Sequence, residues 1–166
     1  LNVTAGIGGR SYLNYAKVPE KLKAFCEDLN NQRSTLNRRD IAALYDLSFD
    51  AHYKLVTIHP WADGNGRMAR LLMNHIQFEF CLVPTKVRKE DKEGYIKALI
   101  ETREKDDLQI FRDFMPDMMI ANLEYDIVAY IQSTDEKEGE KTLESREKKP
   151  KSREKIIAAI RENGQH

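Results

Sequence analysis

The chain is poor in the residues that commit a sequence to a special structural class. Among 166 residues there are two cysteines, Cys26 and Cys81, with no metal-type pairing. That excludes a disulfide scaffold and a zinc ribbon, and it favours a reducing, cytoplasmic setting. No apolar run approaches the ~20 residues that span a bilayer, so membrane insertion is excluded as a reading. The opening Leu1-Asn2-Val3-Thr4 lacks the charged-then-apolar shape of a signal peptide. A start at Leu leaves processing or truncation open, with elements expected upstream. An excess of charge of one sign is also missing. Lys+Arg and Asp+Glu both total 27, so any anion is held by a local site and not drawn by a global field.

What is present is the balance of one ordinary globular domain, 41% hydrophobic and 33% charged, long enough to bury a core without staples. With eight glycines and five prolines in the whole chain, their clusters are informative. Gly6-Ile7-Gly8-Gly9 is followed by no Lys-Ser/Thr, so it reads as a turn and not as a phosphate loop. It leads into Ser11-Tyr12-Leu13-Asn14-Tyr15, a loop or short hairpin, and Pro19 suits the first turn of a helix. Leu22, Phe25, Cys26 and Leu29 recur at helical spacing. Ile41, Leu44, Leu47 or Ser48, His52, Leu55 and Val56 do the same over a longer stretch ending near Ile58. His59-Pro60 stops that helix, because the residue before proline is pushed out of the α region. Helical pattern resumes over Arg67–Cys81, is interrupted at Pro84, returns around Tyr95, Leu99 and Ile100, and continues over Leu108–Ile131 with Pro116 as a point of bending. The expectation is an all-α domain.

The chemistry concentrates in His59-Pro60-Trp61-Ala62-Asp63-Gly64-Asn65-Gly66-Arg67-Met68-Ala69-Arg70, at a helix-loop-helix junction. Gly64 and Gly66 allow positive φ and close approach to a ligand, so successive N–H groups can form an anion hole at the mouth of the next helix. Arg67 and Arg70, three apart on that helix, share a face and offer planar forks to phosphoryl oxygens. Asp63 supplies the single carboxylate with which Mg²⁺ is held beside a substrate's own phosphates. His59, with an ordinary imidazole pKa near ~6.5, can take a proton from an incoming hydroxyl at neutral pH. His52, seven residues earlier, reads as helix packing and not as a metal ligand, and His75 likewise.

This twelve-residue string resembles the signature of the Fic/Doc family, His-Pro-Phe-x-Asp/Glu-Gly-Asn-Gly-Arg-x-x-Arg, with Trp61 in place of Phe. The resemblance implies an all-α, Fic-type helical domain with the catalytic loop between two core helices and a small N-terminal flap or hairpin. It implies a protein adenylyltransferase that moves AMP from ATP onto a Ser, Thr or Tyr hydroxyl of a target protein. His59, Asp63, Asn65, Arg67 and Arg70 would be catalytic, with His59 as base. Asp63 would hold Mg²⁺, and Gly64, Asn65, Gly66, Arg67 and Arg70 would bind the ATP phosphates. Tyr95 would border the base, Trp61 would keep the anchoring role of Phe, and a flap at about 8–18 would pair with an extended target segment.

The same resemblance places the Fic domain at 1–132, a charged stretch at 133–155 that reads as linker or solvated helix, and at 156–166 a fragment of a winged-helix module through which DNA could be met. Family members are often restrained by a helix carrying Ser/Thr-x-x-x-Glu-Gly/Asn. Thr134–Gly139 fits that pattern with Glu138 as the inhibitory group, while an inhibitory helix upstream of residue 1 is the other reading. Rival functions are transfer of another phosphate-containing group, an ATP-binding regulatory body, and a metal hydrolase built on His52, His59 and Asp63.

Overall fold

The structure is a computed structural model that describes residues 13–147, with side chains described to residue 134. Among the described residues there are five α-helices and no strand. The helices are α1 (Val18–Thr35), α2 (Ile41–Ile58), α3 (Asn65–Glu79), α4 (Lys92–Lys105) and α5 (Gln109–Glu147). The chain divides into two compact units, Leu1–Ile120 and Ala121–His166.

The first unit is organised around α2. Asp40 caps it by accepting from the Ala43 N–H, which satisfies one of the amides a helix start leaves bare. The helix then buries side chains on both flanks. Leu47, Ala51 and Leu55 pack with Phe25 and Leu29 of α1 and with Ala69 and Ile76 of α3. Phe49 packs on another side with Met73, Tyr95, Ala98, Phe111 and Met115. A helix caught between two apolar clusters is apolar nearly all round, so Leu47 and Ser48, left as alternatives by periodicity, are both buried. Cys26, placed on the α1 apolar stripe by spacing, is exposed: Phe25 and Leu29 fill that face.

Two polar links cross this core. Gln77 of α3 donates to Ser48 at 2.9 Å and to Thr85 at 3.0 Å, and its Oε1 accepts from the Thr85 N–H. This ties the irregular α3–α4 connection to the helices. Arg112 of α5 forms a bidentate pair with the buried Asp50 carboxylate, its Nε at 2.8 Å, which holds the Arg112 guanidinium firmly charged.

Pro19 lies in the first turn of α1, as its fixed φ favours. Before α1, Tyr15–Lys17 forms a single 3₁₀ turn capped by Asn14; residues 1–12, with the rest of the expected flap, lie outside the described residues. Pro116 is accommodated inside α5. In the second unit α5 runs on to Glu147, so the charged stretch is helical that far, and Tyr125, Ile127, Val128, Tyr130 and Ile131 stand exposed along it. The Glu138 side chain and residues 148–166 fall outside the described residues.

Candidate active site

The site is built where α2 ends and α3 begins. His59 caps α2 in the left-handed region (φ 54, ψ 58), its N–H bonded to the Leu55 carbonyl at 3.1 Å. The rule for a residue preceding proline predicts extended backbone. The helix-closing bond wins instead, and a non-glycine residue is held in a strained conformation of the kind that clusters at functional sites. The imidazole is partly buried, and that burial pushes its pKa below the ordinary value of 6.5, opposed by a hydrogen bond with the Val56 backbone. His59 is therefore neutral at pH 7, the form a general base requires.

The loop from 60 to 64 is closed by Asn65. Its buried amide accepts from the Trp61 N–H at 3.0 Å and donates to the Trp61 carbonyl at 2.6 Å. Trp61 is 42% exposed, so the loop is anchored through its main chain, not through an aromatic plug as the comparison with Phe suggested. Gly64 precedes α3 at φ 84, a conformation favouring glycine. Gly66, expected to share that freedom, is helical; what its missing Cβ provides is space, since a Cβ there would meet Arg70 Nη1 at 3.4 Å.

Arg67 folds back to Asp63 at 2.9 Å, both side chains largely exposed. An exposed pair of this kind is worth well under about 1 kcal/mol, so a ligand can separate it and use each charge. Arg70 lies deeper, half-buried beside Tyr95 in the lining of the larger cavity, close enough for its charge to act on the Tyr95 hydroxyl. Tyr95 is buried, and the same hydroxyl stands 2.9 Å from His52 Nε2. His52 is fully buried and its pKa falls to about 3, mainly through burial and secondarily through Arg70. It is packed as sequence spacing indicated, and His75 is exposed on α3.

Two cavities meet at this junction. One of about 270 Å³ is lined by His59, Ala62, Asp63, Gly64, Asn65, Gly66, Arg67 and Arg70. The other, about 600 Å³, is bounded by Tyr53, Val87, Tyr95, Ile96 and Leu99, with Arg88, Lys89, Lys92 and Arg103 among its basic lining groups. His59, Gly66 and Arg70 belong to both. The structure thus brings His59, Asp63, Gly64, Asn65, Gly66, Arg67 and Arg70 together, with Tyr95 of α4 in the adjoining wall. The sequence reading did not find the apolar and basic walls of the larger cavity. The run Arg88-Lys89 with Lys92 was a visible signal for them.

Residues 3–77 match the family model described as "Fic/DOC family". That segment is similar to a Fic/DOC domain. Its matched segments are similar to the protein adenylyltransferase Fic of Nematostella vectensis, 41% identical over 86 residues, and to that of Drosophila melanogaster, 39% identical over 90. These matches cover 48% and 54% of this chain but 20% and 17% of the relatives, so the matched segment spans about a fifth of their length. In fold it is similar to a Fic domain containing signaling protein from Bacteroides thetaiotaomicron, with a TM-score of 0.62 at 23% identity, covering 74% of this chain and 49% of that one. That likeness agrees with the helical Fic fold.

The donor set of the 59–70 loop also fits a hard cation. Among the described residues no cluster of three His, Cys, Asp or Glu groups could cage a metal, whereas Asp63 offers one accessible carboxylate beside the cavity lined by Gly64, Asn65 and Gly66. That suits Mg²⁺ completed by phosphate oxygens. It does not suit a hydrolase centre on His52, His59 and Asp63, because His52 is sealed in the core against Tyr95.

Proposed function

We propose that this domain transfers AMP from ATP to a hydroxyl of a target protein and releases pyrophosphate. The observation that carries the reading is the shared wall of the two cavities. A nucleoside-sized space and a loop suited to polyphosphate meet at His59, Gly66 and Arg70, where the α-phosphate of a bound nucleotide would lie.

In this reading the triphosphate enters the smaller cavity and draws Arg67 away from Asp63. Arg67 and Arg70 then hold phosphate oxygens, while the Gly64–Gly66 backbone faces the chain of phosphates. Asp63 would hold Mg²⁺, which when bound supplies charge neutralisation of the phosphates. The target hydroxyl gives its proton to His59 as its oxygen bonds to the α-phosphorus. The bond from that phosphorus to the bridging oxygen breaks, and pyrophosphate leaves with the electron pair. Such transfer depends on positioning and charge stabilisation, and a loop pinned by Asn65 supplies a fixed frame for both. The partner would be a protein presenting an extended segment near residues 8–18.

The test is incubation with Mg²⁺ and ATP labelled on the α-phosphate or, in parallel, on the γ-phosphate, comparing the native chain with His59→Ala. Protein-bound label from α-labelled ATP alone, lost in His59→Ala, is the expected result. Label from the γ-position would replace AMP transfer by phosphorylation.

A further inference from the structure

Arg70 stands in the wall between the two cavities, and its surroundings fix where its charge lies. The absent Cβ of Gly66 leaves room for Nη1 on one side, and Tyr95, lining the same cavity, feels the guanidinium charge at its hydroxyl. Behind Tyr95, His52 Nε2 lies 2.9 Å from the same hydroxyl. The imidazole is held between rings, stacked on Phe111 at 5.4 Å and 17° and edge-on to Tyr95 at 5.6 Å and 72°.

The chemistry of the groups gives this chain a direction. A guanidinium has N–H donors and no acceptor, so in a hydrogen bond between the two groups Arg70 donates and the Tyr95 oxygen accepts. The phenolic proton is then left for His52 Nε2, which accepts it only when the imidazole is neutral with its other nitrogen protonated. That nitrogen, Nδ1, is buried with no hydrogen-bond partner. Packing alone gives no reason to keep an unmatched polar ring at the centre of an apolar cluster. Holding the Tyr95 hydroxyl toward Arg70 does.

We propose that Tyr95, backed by His52, is a positioning residue that aims Arg70 at the phosphates of the donor, so that its hydroxyl, and not its ring face toward a base, is the group the site depends on. The inference rests on the phosphate-donor reading given above. A relay Arg70→Tyr95→His52 occupies one edge of the guanidinium with neutral partners, so the full charge and the remaining N–H groups face the cavities. It also joins α2, α3 and α4 at one point, and removing the hydroxyl would leave Arg70 free to adopt other rotamers.

The test is a binding titration of the full chain with Mg²⁺ and, separately, inorganic tripolyphosphate, ATP and adenosine. Tyr95→Phe keeps the ring and removes the oxygen. Tyr95→Phe with His52→Leu also removes the acceptor that the first change leaves unmet, and so guards against a loss of folding. Both are expected to bind tripolyphosphate and ATP about tenfold or more weakly, the effect of one hydrogen bond to a charged group, with adenosine binding unchanged. In an Arg70→Ala background Tyr95→Phe should have no further effect, because the two residues act as one unit. A general packing role would weaken adenosine and tripolyphosphate together and would persist without Arg70. Wild-type tripolyphosphate affinity in Tyr95→Phe overturns the proposal while leaving the phosphate site intact. A native chain that binds neither ATP nor tripolyphosphate overturns both.

Discussion

Gly64 and Gly66 stand two apart in one loop, yet alanine at each should have opposite effects on stability. Gly64 has φ 84, and a Cβ there meets Arg67 at no less than 3.6 Å, an ordinary contact with a mobile side chain. The cost of Gly64→Ala is therefore conformational, about 1–2 kcal/mol for an L-residue in the left-handed region. Gly66 lies in the first turn of α3 without positive φ. Alanine there gains up to about 1 kcal/mol of helix preference, but its Cβ would stand 3.4 Å from Arg70 Nη1, at the near edge of ordinary contact, and so fill the space that lets the guanidinium adjust to a ligand. Urea unfolding of the two variants should show Gly64→Ala destabilised and Gly66→Ala unchanged or more stable. A phosphate-binding titration should show Gly66→Ala weakened in spite of its sound fold. Equal destabilisation of both variants, or a Gly66→Ala that binds tripolyphosphate as the native chain does, would refute the assignment of backbone freedom to one glycine and open space to the other.

Other expectations come from the buried charges and the two inward histidines. Burial lowers the His59 pKa below 6.5, so the acid limb of a transfer rate should have its midpoint below pH 6.5, measurable as a pH profile of labelled-AMP incorporation. His52 has a folded pKa of about 3 against 6.5 unfolded, and its depressed value works against stability only in acid. Above pH 6.5 neither state binds the proton, and between 6.5 and 3 the unfolded chain does, so about 2 kcal/mol should be lost by pH 5. Denaturant titrations at pH 7.5 and 5 should show that loss reduced in His52→Gln. Asp50→Ala strands the Arg112 guanidinium and should cost about 2–3 kcal/mol in the same assay, short of a fully buried pair because Arg112 keeps contact with solvent.

Helix placement was legible because the hydrophobic period of α2 is long, Pro19 marks the first turn of α1 and Pro60 marks the end of α2. The loop chemistry was legible because its residues are contiguous. The conformation of His59 was not. A rule about the residue before proline competes there with the last hydrogen bond of α2, and the geometry of the turn decides between them. The role of Asn65 was hidden for a related reason. Its amide closes on the Trp61 main chain, and an asparagine in a phosphate loop gives no sign whether it faces a ligand or the backbone.

Long-range neighbours show the deeper limit. His52 and Tyr95 lie 43 residues apart, and neither the period of α2 nor that of α4 indicates that their polar ends meet. Each was read alone, one as packing and the other as a border for a base. Arg70 makes them one system, because a cation at the end of the chain sets which oxygen accepts and which nitrogen receives the proton. The contiguous motif can therefore be complete in sequence and still depend on residues outside it. Its loop supplies the charges, while the helices that pack behind the loop decide where those charges are held.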